Sequence, residues 1–158
     1  MFRWYRNAAK CYVYLSDVSS PPFSTNDKFS PLPCESAFRA SRWFTRSWTL
    51  QELLAPRSVE FFSQEGNRLG DKRSLEQQIH EITGIVVPAL RGSPLFKFSA
   101  DERFKWAQNR EATRDEDWAY SLLGIFDIFM PLIYGEGKEK AVIRLGKEIK
   151  EASKGKTQ

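Results

Sequence analysis

Cys11-Tyr12-Val13-Tyr14-Leu15 is an unbroken apolar run rich in strand-forming residues, the pattern of a strand buried on both faces. It follows directly on Met1 to Lys10, where Phe2, Tyr5 and Ala9 recur at helical spacing with Arg3, Arg6 and Asn7 between them. A helix that runs into a two-faced strand constrains the fold strongly, because such a strand needs cover on both sides, which an α/β architecture supplies. No capping residue precedes the helix, so it starts in mid-turn and the earlier part of the unit is expected upstream of Met1.

Ser16 to Pro33 holds four Pro and five Ser and reads as a long, mobile connection. A short helix is expected over Glu35 to Ala40, then the segment Arg42 to Ala55, stopped by Pro56. Ser58-Val59-Glu60-Phe61-Phe62 reads as a second strand, with Glu60 pointing to exposure near an edge. Four helices follow, around Ser74–Thr83, Ala100–Gln108, Arg114–Leu123 and Lys138–Lys150. Ser74 with Gln77, Ser99 with Glu102 and Thr113 with Glu116 all have capping-box spacing. Gly84 suits a left-handed helix end. The expected architecture is an incomplete α/β sheet with flanking helices and a helix-rich C-terminal half. The domain spans residues 1–150, and 151–158 form a polar tail.

The 158 residues fit one domain at ~150 residues per domain. Twelve Phe, five Trp and five Tyr exclude a disordered chain. The net charge of +4 comes from interspersed charges of both signs, which argues against a nucleic-acid stripe. Cys11 and Cys34 lack metal-site spacing, and the single His80 argues against a Ser-His-Asp triad and multi-His metal sites. His80 reads as a surface or boundary residue. No stretch has the length of a membrane helix and the N-terminus carries no signal-peptide pattern, so a cytoplasmic protein is expected.

Gly135-Glu136-Gly137-Lys138 lacks the spacing of a phosphate loop and reads as a tight turn capping the last helix. The acidic run Asp115-Glu116-Asp117 suits the positive end of a helix. The densest feature is Arg42-Trp43-Phe44-Thr45-Arg46-Ser47-Trp48-Thr49-Leu50-Gln51-Glu52-Leu53-Leu54. Two Trp five residues apart call for burial, and each brings an N–H that needs a partner. In a helix starting near Ser47, Gln51 and Glu52 lie near Trp48. Glu52 is then either a partly desolvated functional carboxylate or a structural one, paired with Arg46 or capping a backbone.

This block strongly resembles the central block of the fungal heterokaryon-incompatibility (HET) domain. Met1 to Arg6 with Cys11 to Val18 resembles that family's helix and following strand. Thr113 to Phe126 with Met130 to Gly137 resembles its C-terminal block. The resemblance spans essentially the whole chain, with the family's first strand and following βα unit lacking before Met1. It implies a sheet distantly related to the Toll/interleukin-receptor (TIR), flavodoxin-like fold. It also implies a role in regulated cell death on fusion of unlike hyphae. The expected partners are a second copy, other HET-domain proteins or nucleotide-binding oligomerisation (NLR-type) proteins, with neither nucleic acid nor a membrane span. Some members of the wider group cleave NAD with one Glu. By analogy of role, NAD becomes the candidate substrate and Glu52 the catalytic residue, stabilising an oxocarbenium-like state. Arg46 would meet a phosphate, Trp48 would stack on a ring and Gln51 would position a hydroxyl, with no metal. A catalytically inactive interaction module, or a relic that binds full-length HET proteins, is the competing expectation. This short form is itself expected to be inactive.

Overall fold

The computed structural model describes residues 1–20 and 34–155. Most of the expected connection Ser16–Pro33, and the last residues of the polar tail, lie outside them. The elements run α1 (Phe2–Asn7), β1 (Cys11–Tyr14), α2 (Glu35–Arg39), a 3-10 turn (Arg42–Thr45), α3 (Thr49–Leu54), β2 (Val59–Phe62) and β3 (Arg68–Asp71). They continue through α4 (Glu76–Thr83), α5 (Val87–Leu90), a 3-10 turn (Leu95–Lys97), α6 (Ala100–Ala107), α7 (Asp117–Tyr120) and α8 (Lys138–Gly155). The α/β class expected from the sequence is found.

The sheet is mixed and has the order β1-β2-β3. β1 runs parallel to β2, with Cys11 opposite Val59 and Val13 opposite Phe61. β2 runs antiparallel to β3. Val13, Val59 and Phe61 point into the core, while Tyr12 and Tyr14 are 65% and 59% exposed on the other face. This corrects the expectation of a strand buried on both faces: the two Tyr hydroxyl ends are polar enough to face water, and Tyr14 Oη donates to Gln64 O at 2.9 Å. Glu60 also sits on the central strand, not near an edge. It is held there by Lys10 at 3.6 Å and Arg68 at 3.8 Å.

The inner face of the sheet meets a block of rings. Phe38 stands edge-on to Phe44 at 5.2 Å and to Phe61 at 5.5 Å, and Trp43 is edge-on to Phe61 at 5.5 Å. Such geometries favour positive ring edges against negative ring faces. The core continues through Leu50, Leu53, Ile79, Ile85, Tyr120, Leu122, Ile125 and Leu145.

Helix starts divide by what their capping groups meet. Ser99 and Glu102 form the expected reciprocal box on α6. α4 begins only at Glu76, because Ser74 Oγ accepts from Asp71 N–H at 2.9 Å instead of capping the helix. The helix expected over Arg114–Leu123 shrinks to the single turn Asp117–Tyr120. Glu116, the expected capping-box partner of Thr113, instead accepts from Gly135 N–H at 2.8 Å and Gly137 N–H at 3.0 Å. Gly135 and Gly137 have φ of 100° and 86°, values that need glycine, so the expected turn is there and closes around a carboxylate. α8 runs on past Lys150 to Gly155. Gly84 ends α4 with φ 73° as expected. Among the described residues, no helix is long and apolar enough to cross a membrane.

Candidate functional site

α3 is built by its own approach segment. Ser41 Oγ accepts from Trp43 N–H at 3.3 Å and donates to Asp17 Oδ1 at 2.8 Å. Thr49 Oγ1 meets the carbonyls of Trp43 at 2.5 Å and Arg46 at 2.7 Å, which locks the chain as it enters the helix. At the far end, the buried Lys72 donates to Leu53 O at 2.9 Å and Pro56 O at 2.7 Å, so an ammonium caps carbonyls that the helix leaves unpaired. Leu50, Leu53 and Leu54 face the core, which leaves Glu52 half-buried at the edge of the helix.

Around Glu52 the structure gathers groups from distant elements. Tyr5 of α1 donates its hydroxyl to Glu52 Oε1 at 3.2 Å, and the Trp43 indole is a second donor. Burial raises the Glu52 carboxyl above its ordinary range; the bonds from Tyr5 and Trp43 and the nearby Arg46 charge oppose this without cancelling it. The Tyr5 phenol is pushed up to about 12, first by burial and then by the Glu52 charge. Burial, and again Glu52, raise the Cys11 thiol, with Lys72 pulling the other way. Burial brings Lys72 down to about 8. A half-desolvated carboxylate beside a phenol, an indole and a thiol is a place where proton affinity is tuned. An arriving positive charge would relieve its burial cost.

The residues expected to act with Glu52 are placed differently from one another. Arg46 is exposed and close enough to act on the Glu52 charge. Trp48 is half-buried against the core, as is Trp43. Gln51 is 2% exposed, its amide donating to Met1 Sδ at 3.4 Å beneath the start of α1. Tyr5, Cys11, Trp43 and Lys72 were not singled out as companions of Glu52 in the sequence. Tyr5 reads there only as a helix repeat. His80 Nδ1 lies 2.8 Å from Ile85 O, a structural contact at the end of α4.

A three-stranded mixed sheet, helices packed on one face of it and a tuned carboxylate at the helix edge define a small α/β domain with a polar cluster at its centre. By sequence, the chain is 59% identical over 149 residues to "Vegetative incompatibility protein HET-E-1" of Podospora anserina. That match covers 94% of this chain and 11% of the fungal protein, so the chain spans about a ninth of the relative's length. No protein-family profile and no solved structure matches the chain.

Proposed function

We propose that the chain is a HET-type module of fungal vegetative incompatibility that promotes cell death through self-association. The 59% identity to HET-E-1 supports the link to incompatibility. The observation that carries the association is the edge of the sheet. Among the described residues β1 lies outermost in the strand order with Tyr12 and Tyr14 exposed beside it, and an outermost strand is a template for a second copy. Sedimentation of the purified chain at micromolar concentration is the test. The wild type should form dimers or larger assemblies, and Tyr12→Lys with Tyr14→Lys should be monomeric with an unchanged fold. A monomeric wild type would overturn this reading.

A second reading, NAD cleavage at Glu52, is favoured by the surroundings of its carboxylate. The donors Tyr5 and Trp43 and the Arg46 charge all support the ionised form, which stabilises positive charge developing on a ribose. Burial makes that stabilisation worth more than it would be in water. In a longer protein that carries this domain, nicotinamide release from NAD should occur with the wild type and vanish in Glu52→Gln, with near-UV circular dichroism unchanged. No release by the wild type removes the enzymatic reading, and equal release by both proteins removes Glu52.

A further inference from the structure

Arg110, between α6 and α7, is 4% exposed and has no carboxylate partner among the described residues. Its Nε donates to Trp106 O at 3.3 Å, and its Nη1 to Arg46 O at 2.9 Å and to Thr49 Oγ1 at 2.8 Å. Its Nη2 is buried and has no hydrogen-bond partner. A buried guanidinium bonded only to neutral oxygens, with one nitrogen unused, lacks its counter-charge.

Arg110 lines a cleft of about 300 Å³ together with Glu111, Ala112, Asp115, Trp118 and Lys138. Lys138, at the start of α8, is also without a carboxylate. Its Nζ lies 4.6 Å from the Trp118 ring centroid, and that indole is fixed by its N–H to Ala107 O at 3.0 Å. The backbone at the start of α8 is already neutralised, since Glu116 accepts from Gly135 and Gly137. The two uncompensated cations therefore belong to the cleft and not to the helix end. Two cations facing one cleft suit a dianion, and a guanidinium fork with an ammonium is the combination that phosphate recognition favours. Glu111 and Asp115 would repel a bare anion unless its carrier offers them donors.

We infer that this cleft binds a phosphorylated ligand, with the phosphate between Arg110 and Lys138 and hydroxyl groups of its carrier facing Glu111 and Asp115. No residue of this cleft touches the Glu52 carboxylate in the hydrogen bonds described, so the inference does not rest on what that carboxylate does. The test is thermal melting of the purified chain with inorganic phosphate, ribose 5-phosphate or ribose at matched ionic strength. Both phosphates should raise Tm saturably, ribose 5-phosphate at lower concentration, and ribose should have no effect. Lys138→Gln changes an exposed side chain and should weaken phosphate binding roughly tenfold while leaving the unliganded Tm intact. Arg110→Lys should weaken it too, but it also touches the fold, so Lys138→Gln decides. No saturable shift with either phosphate, or unchanged affinity in Lys138→Gln, overturns the site. Equal affinity for both phosphates overturns the part given to Glu111 and Asp115.

Discussion

Gly124 is where α1 comes down on the rest of the molecule, and replacing it with alanine should lift that helix off. A Cβ at Gly124 would stand 2.3 Å from Phe2 Cβ and 2.5 Å from Phe2 Cγ. Carbon atoms in contact settle at ~3.5–4.0 Å, so α1 must retreat by roughly 1.2 Å or more at Phe2. α1 is short, with six residues, and its N-terminal end beside Phe2 has no side-chain cap. Overpacking of this kind costs ~1–3 kcal/mol. The same retreat stretches the 3.2 Å bond from Tyr5 to Glu52 beyond hydrogen-bonding reach, adding about 1 kcal/mol. The backbone φ at Gly124 is ordinary, so alanine would otherwise stabilise by ~0.4–1 kcal/mol through the unfolded chain. The net expectation is a loss of about 2 kcal/mol, read as a lower urea midpoint with an unchanged slope. The Tyr5 phenol should also fall back from about 12, visible in a phenolate titration compared with Tyr5→Phe. Phe2→Ala combined with Gly124→Ala should cost less than the two changes summed, because the first removes the atoms that the second strikes. An unchanged midpoint and an unchanged titration in Gly124→Ala would show that α1 does not rest there.

Lys72 should leave a signature in alkali. Its folded value of about 8 lies below the ordinary 10.5, so the unfolded chain holds more protons across that window and stability should rise with pH through it. The full effect is on the order of 3 kcal/mol. In a Cys11→Ala background, which removes the neighbouring thiol, Lys72→Met should abolish that rise in denaturant melts; an equal slope in both proteins would refute it. Glu116→Gln should lower the urea midpoint, since one charged acceptor serves two backbone donors. Its own backbone N–H first, and then those same bonds, hold the Glu116 carboxyl below its usual range. Its contribution should therefore be present at neutral pH and fade on acidification through that lowered value, a loss that Glu116→Gln should not show in acid melts.

What could be read from the sequence was what the chain decides locally. The box of Ser99 and Glu102 forms because both partners lie within one turn and nothing else competes for them. Thr113 and Glu116 have the same spacing, yet the Glu116 carboxylate is taken by amides 19 and 21 residues away, a choice invisible at short range. β3 went unseen because Arg68-Leu69-Gly70-Asp71 has one apolar side chain; its pairing with β2, not its own pattern, makes it a strand. α5 was hidden by Pro88, which sits within the first turn, where its missing N–H costs nothing. The candidate site follows the same division. Glu52 stands out among the aromatics of its own segment, while Tyr5 and Cys11 reach it only through packing of α1 and β1.

The parallel pairing of β1 with β2 also sets when the Glu52 cluster can exist. Tyr5 and Cys11 lie on one side of a long span, and Glu52, Val59 and Lys72 on the other. Contacts of such sequence separation pay a loop-closure cost before they return anything, which makes them slow to form. During synthesis at ~5–20 residues per second, Lys72 is added roughly 3–13 s after Tyr5. Through that interval the growing chain carries the phenol and the thiol without the carboxylate and ammonium that tune them. The cluster therefore cannot assemble before β1 has found β2, and losing that pairing loses it.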